Sequence, residues 1–125
     1  MALDMDPGIR AQWTAALRSG GYLKATGYLR DGDRRCCLGV LCDLAAKDGI
    51  LEAVRRDGTL FWSYDGRSDY LPESVQDWAG LNSGNPQVCT PSGVLPLGVL
   101  NDGDNDDEGE WDFARIADAI DGGAK

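Results

Sequence analysis

The chain of 125 residues contains no histidine, and that absence alone removes a large part of enzymology. Without imidazole there is no Ser-His-Asp or Cys-His catalysis of the usual kind and no histidine-ligated metal. Carboxylates remain available for general acid–base work, yet no specific pair stands out, so no catalytic residue is assigned. Long apolar runs are also missing. The longest, Cys36 to Cys42 and Val94 to Leu100, fall far short of the roughly 18 residues of a membrane span. The opening residues, Met1-Ala2-Leu3-Asp4-Met5-Asp6, lack the basic start and apolar stretch of a signal peptide, which points to the cytoplasm. No C-x-x-C occurs among the four cysteines, and adjacent residues on a helix point about 100° apart, so Cys36 and Cys37 are poorly placed to share one zinc ion. A disulfide framework does not suit a cytoplasmic chain. Cys36, Cys37, Cys42 and Cys89 therefore read as buried thiols, with no metal and no cofactor expected.

What the chain has in excess is negative charge, and it is concentrated. The formal net charge is −9, and seven acids crowd between Asn101 and Asp112: Asp102, Asp104, Asp106, Asp107, Glu108, Glu110 and Asp112. Without those seven, the remaining acids nearly balance the 12 bases. A loop over about 101–112 with like charges at this density repels itself and stays solvated, so it is expected to be mobile unless a cationic partner meets it. Direct nucleic-acid binding is disfavoured at such a face. An EF-hand started at Asp104 places Asp106, Glu108, Gly109, Glu110 and Asp112 acceptably, but Arg115 stands where the closing bidentate carboxylate belongs. The remaining cationic partner is a protein with a basic surface, met by Asp104, Asp106, Asp107, Glu108 and Glu110.

Periodicity supplies the rest. Pro7 to Ser19 reads as a helix, with Ile9, Trp13, Ala16 and Leu17 on one face and Gly20-Gly21 as its stop. A β-hairpin is expected over about 26–36, turning at Asp31-Gly32. Cys36 to Lys47 is apolar on most sides and predicts the central buried helix. Gly39 within it costs about 1 kcal/mol relative to Ala, a deficit best explained by close approach of another backbone. Ile50 to Arg56 is expected to add a helical turn or two. Thr59 to Tyr64 predicts a strand, Pro72 to Ala79 a short helix burying Val75 and Trp78, and Gln87 to Thr90 a short strand. Val94 to Leu100 is ambiguous. A last helix from Trp111 or Asp112 carries Phe113, Ile116, Ala117 and Ile120 on one stripe. The expected class is α+β, mainly helical, one compact domain over 1–125.

Two further chemical signals stand near the hairpin. Cys36 and Cys37 follow Arg34 and Arg35 at a helix start, which would lower a thiol's pKa if one were exposed. Arg30, Arg34 and Arg35 also precede that helix N-terminus, where guanidinium and free N–H groups suit a phosphate. Trp62 and Tyr64 on the aromatic strand offer a stacking wall, so an anionic nucleotide is an alternative ligand. A third, weaker alternative is a DNA-binding regulator, because Phe113 to Ile120 has the look of a recognition helix, although the charge balance opposes it.

The motifs Trp13-x3-Leu17-Arg18-Ser19-Gly20, Gly27-x-Leu29-Arg30-x-Gly32-Asp33 and Cys36-Cys37-Leu38-Gly39-Val40-Leu41-Cys42-Asp43-Leu44 resemble a family of small uncharacterised phage and prophage proteins. Tyr70-Leu71-Pro72, Asp77-Trp78-Ala79-Gly80-Leu81, Leu100-Asn101-Asp102 and Phe113-x2-Ile116-Ala117-Asp118-x-Ile120 follow in the same order. The resemblance implies a phage or mobile-element origin and a bacterial cytoplasm, and carries no catalytic residues. The chain departs from the family in its long acidic segment, Gly103 to Glu110. Together these observations lead to an expected non-catalytic phage accessory protein that binds a host protein of defence or nucleic-acid handling through its acidic surface.

Overall fold

The computed structural model describes residues 2–123, and most elements begin and end where local chemistry dictates. Helix α1 (Pro7–Arg18) is capped by Asp6, whose carboxylate accepts from the Ile9 N–H at 3.0 Å. Strands β1 (Leu23–Lys24), β2 (Arg30–Asp31) and β3 (Arg34–Arg35) follow, each two residues long. Helix α2 (Cys37–Lys47) has Cys36 as its cap, and the thiol sulfur accepts from the Gly39 N–H. Then come β4 (Ala53–Arg55), β5 (Phe61–Tyr64), α3 (Glu73–Ala79), β6 (Gln87–Thr90), β7 (Gly93–Pro96), α4 (Leu97–Asp102) and α5 (Phe113–Ile120). Among the described residues the architecture is α+β, with five helices, a five-stranded sheet in the order β1-β3-β2-β5-β4, and a β6–β7 hairpin.

Three local expectations are corrected. The hairpin is confined to 30–35 and turns at Gly32-Asp33, one residue later than the Asp31-Gly32 pair suggested. Arg30 faces Arg35 and Asp31 faces Arg34, so Gly32, with φ of 59°, takes the first central position, the place where a type II′ turn requires glycine. Residues 50–56 form no helix. The chain reverses at Gly49 (φ 78°), and Ala53–Arg55 pair antiparallel with β5, a tertiary partner that outweighs the weak helical pattern. Trp78 is half-buried, and its indole N–H donates to Asp48 at 3.0 Å, whereas Val75 is fully enclosed. The ambiguous 94–100 segment divides at Pro96 between β7 and α4.

One apolar cluster unites the elements, with Trp13, Leu29, Leu38, Leu41, Tyr64, Leu97, Leu100, Trp111 and Ile116 in its interior. Helix α2 buries Cys37 through Cys42 without interruption and packs on α1, α3, α4 and β3. At Gly39 its first turn lies directly against another backbone segment. A Cβ on Gly39 would stand 1.7 Å from the Leu29 carbonyl oxygen. That same oxygen accepts from the Cys36 N–H at 3.2 Å, so the segment leading into β2 is clamped onto the helix start. The close approach expected at this glycine is therefore made by Leu29.

The clash at Gly39 is with backbone and cannot be relieved by a rotamer change. Gly39→Ala is expected to destabilise the protein by about 3 kcal/mol or more, despite the better helix propensity of alanine. Urea unfolding followed by circular dichroism reads this directly; a variant of unchanged midpoint would show that the helix and the Leu29 segment can separate freely.

Candidate functional site

The thiols are the first candidates to be settled. Cys36, Cys37 and Cys42 are buried, and burial pushes each thiol up: Cys36 to about 11, Cys37 and Cys42 well above their ordinary value. The condition for activation by Arg34 and Arg35, an exposed thiol at this helix start, is not met. Arg34 is exposed, and Arg35 turns to Asp43 at 3.6 Å. Cys89 corrects the expectation that all four are core, because it lies exposed on the β6–β7 hairpin. Its side chain alternates with the buried Val88 on a two-stranded ribbon, and only one face of the ribbon meets the core.

The acidic segment is organised rather than free. Asn105 is its internal anchor: the side-chain oxygen accepts from the N–H groups of Glu108 (2.6 Å) and Gly109 (3.1 Å), while the amide nitrogen donates to the Val99 and Gly109 carbonyls. Glu108 is folded inward, its side chain 7% exposed, paired with Arg115 at 3.2 Å and accepting from the Ser92 hydroxyl. Glu110 reaches Lys24 at 2.7 Å. Asp112 caps α5 by accepting from the Arg115 N–H at 2.9 Å. The expected mobile loop is thus a pinned one, because its own carboxylates find cations and N–H donors within the domain. Of the five acids assigned to a partner, Glu108 and Glu110 are engaged internally, and Asp104, Asp106 and Asp107 remain exposed.

Beneath this loop lies a cavity of about 90 Å³, a feature that no local motif announced. Asp69, Asp102 and Asp104 line it, with Tyr28 and Tyr70 among its walls and Cys36 and Leu38 among its lining. The tyrosines are 41% and 43% exposed, high for residues of that size. Asp69 pairs with Arg67 at 3.1 Å, whereas Asp102 and Asp104 make no ion pair among the described residues. Asn101 holds the cavity in shape. Fully buried, it accepts from the Cys37 N–H at 3.0 Å and donates to the Ala25 carbonyl and the Asp102 carboxylate, both at 2.8 Å. Its carbonyl accepts from the Lys24 ammonium at 2.6 Å. Asn101 was visible in the sequence only as part of a motif; its buried amide ties the start of α2 and the Ala25 segment to the end of α4.

The cationic candidates divide by sheet face. Cross-strand register places Arg35, Arg30, Trp62 and Arg55 in one row, each opposite the next. The Arg30 guanidinium stacks on Trp62 at 3.8 Å from the ring centroid. Arg34 belongs to the other face, opposite Asp31, because adjacent strand residues alternate. Tyr64 shares Trp62's face but is fully buried, so it forms core rather than a stacking wall. Burial is also the main cause that raises its phenol. Arg55 was not foreseen: a two-residue turn at Asp57-Gly58 would set it opposite Leu60, and the longer connection over 57–60 brings it opposite Trp62 instead. On helix α5, Phe113, Ile116, Ala117, Ala119 and Ile120 are buried, and the outward Asp118 pairs with Arg18 at 2.8 Å.

Fold and site together describe a small α+β domain with an acidic cavity rimmed by an ordered loop. Residues 5–123 match the family model described as a domain of unknown function, DUF8296, and the chain belongs to that family. No curated protein and no solved structure matches it. No helix among the described residues is long and apolar enough to cross a membrane.

Burial of the thiols has a measurable consequence. The native state holds the Cys36 proton up to about pH 11, against 9.0 for an ordinary thiol. The stabilisation is complete below pH 9, and it is lost as pH rises through that window. Urea stability is expected to fall between those values. A chromogenic thiol reagent at pH 8 is expected to label Cys89 alone until the protein is unfolded. Rapid labelling of two or more thiols in the native protein would contradict it.

Proposed function

We propose that this is a non-catalytic phage accessory protein, working in the bacterial cytoplasm, that binds and inhibits a host protein of defence or nucleic-acid handling. The domain is read as mainly helical, built around α2 as its central buried helix, which leaves the 103–110 segment free to serve as a contact surface. One observation carries this conclusion: Asp104, Asp106 and Asp107 are held outward by a loop whose other acids are tied to Lys24 and Arg115. Fixed carboxylates beside the unpaired Asp102 present a negative surface that needs no ordering on association. Proteins that grip nucleic acid display the opposite charge, and an array of this kind competes for it. The phage origin is supported by the resemblance of the cysteine-rich block and the later motifs.

Replacing Asp104, Asp106 and Asp107 by Asn keeps side-chain size and removes only charge. Affinity capture from a bacterial lysate, with mass spectrometry, is expected to recover a basic protein with the native chain and to lose it with the triple variant. Its measured affinity is expected to fall about tenfold or more and to become less salt-dependent. Salt-independent capture that survives the triple replacement would refute the acidic surface as the contact.

A further inference from the structure

The cations of this chain are unevenly satisfied. Arg10, Arg18, Lys24, Arg35, Lys47, Arg67 and Arg115 all form ion pairs. Among the described residues Arg30, Arg34, Arg55 and Arg56 form none, and all four belong to the strands of the five-stranded sheet or directly follow one. In a chain with a net charge of −9 this is not a shortage of carboxylates. Two of the four, Arg30 and Arg55, flank Trp62 in a surface groove of about 220 Å³ that also includes Gly32, Asp33 and Leu60. Arg30 is held in place twice, by the Trp62 ring and by its Nε–H, which donates to the Gly32 carbonyl at 3.0 Å. Its outer N–H groups are left for something else. Leu60 is 63% exposed and completes the apolar part of the groove beside Trp62.

We propose that this groove binds a ribonucleoside monophosphate, independently of the acidic surface. The two guanidinium groups suit a phosphate, which accepts several N–H bonds in the fork geometry that lysine lacks. Trp62 and Leu60 supply the apolar contact that a base needs and a bare phosphate does not. Asp33, the one carboxylate in the lining, supplies the acceptor that a ribose hydroxyl requires. A small anion fits better than a polynucleotide, because every added phosphate increases repulsion from the chain's excess of acid.

Titration of the full chain with AMP, GMP, CMP and UMP, followed by calorimetry and tryptophan fluorescence, tests this. At least one nucleotide is expected to bind saturably at a single site, with inorganic phosphate much weaker. Arg55 is exposed and forms no ion pair among the described residues, so Arg55→Ala is expected to keep the ligand-free melting temperature and to weaken binding about tenfold or more. Trp62→Leu is expected to weaken binding to a similar degree, whatever it costs in stability, while Arg34→Ala, on the opposite face, changes it less than about twofold. The triple Asp→Asn variant retains nucleotide binding, which separates this site from the acidic surface. The proposal is overturned if no nucleotide saturates below about 10 mM, if Arg55→Ala binds as native does, or if phosphate alone matches the nucleotides. A single-stranded oligonucleotide binding more tightly than every mononucleotide also overturns it, in favour of nucleic acid.

Discussion

The contact on which the rest depends is the seating of the Leu29 carbonyl against the bare Cα of Gly39. It brings a backbone segment to the first turn of α2 at a distance that no side chain permits. Once there, the carbonyl accepts from Cys36, and the next N–H along, that of Cys37, is taken by Asn101 from α4. The carbonyl of Cys37 in turn receives the indole N–H of Trp13 from α1 at 2.9 Å. Three elements distant in sequence thus converge on consecutive backbone groups at one helix start. Groups buried this deeply are costly to leave unpaired, so the arrangement is cooperative: losing one partner exposes the others.

That junction also determines where charge can lie. Asn101 ends its service to α2 one residue before Asp102, and the acidic segment leaves from there with its direction already set. Lys24 closes the same corner by donating both to the Asn101 carbonyl and to Glu110. The aspartates that remain outward are those for which the interior has no cation to offer. On the sheet the converse holds, since Asp43 takes Arg35 and Lys47 and leaves the arginines farther along the strands without a carboxylate. Interior polar geometry and exposed charge are therefore two views of a single arrangement.

Much of this was legible in the chain where one local cause dominates. Gly39 in an apolar helix announced a close backbone contact, the spacing of Ile9, Trp13 and Leu17 announced α1, and the stripe of Phe113, Ile116 and Ile120 announced α5. Legibility failed where two segments decide jointly. Ile50 to Arg56 satisfies a weak helix as well as a strand, and only pairing with Phe61–Tyr64 discriminates. Charge density in 101–112 was plain, but its order depends on Asn105 and on Arg115 and Lys24 beyond it. The cavity gathers Tyr28, Cys36, Tyr70, Asn85 and Asp102 from separate parts of the chain, so no window of sequence contains it. Of the arginine cluster, Arg30 and Arg35 share a row with Trp62, whereas strand alternation puts Arg34 on the other side and Arg55 joins the row from β4.

The hydrogen bond from the Trp111 N–H to the Leu100 carbonyl, at 2.8 Å, draws the two ends of the acidic excursion together. Such a closed neck confines change beyond it: outside the tethers at Asn105, Glu108 and Glu110, positions such as Asp106 and Asp107 can be recharged while α4 and α5 keep their seats. Descendants of this scaffold are thereby free to diversify their outer segment at little risk to folding, so that one architecture can carry many different exchangeable cassettes.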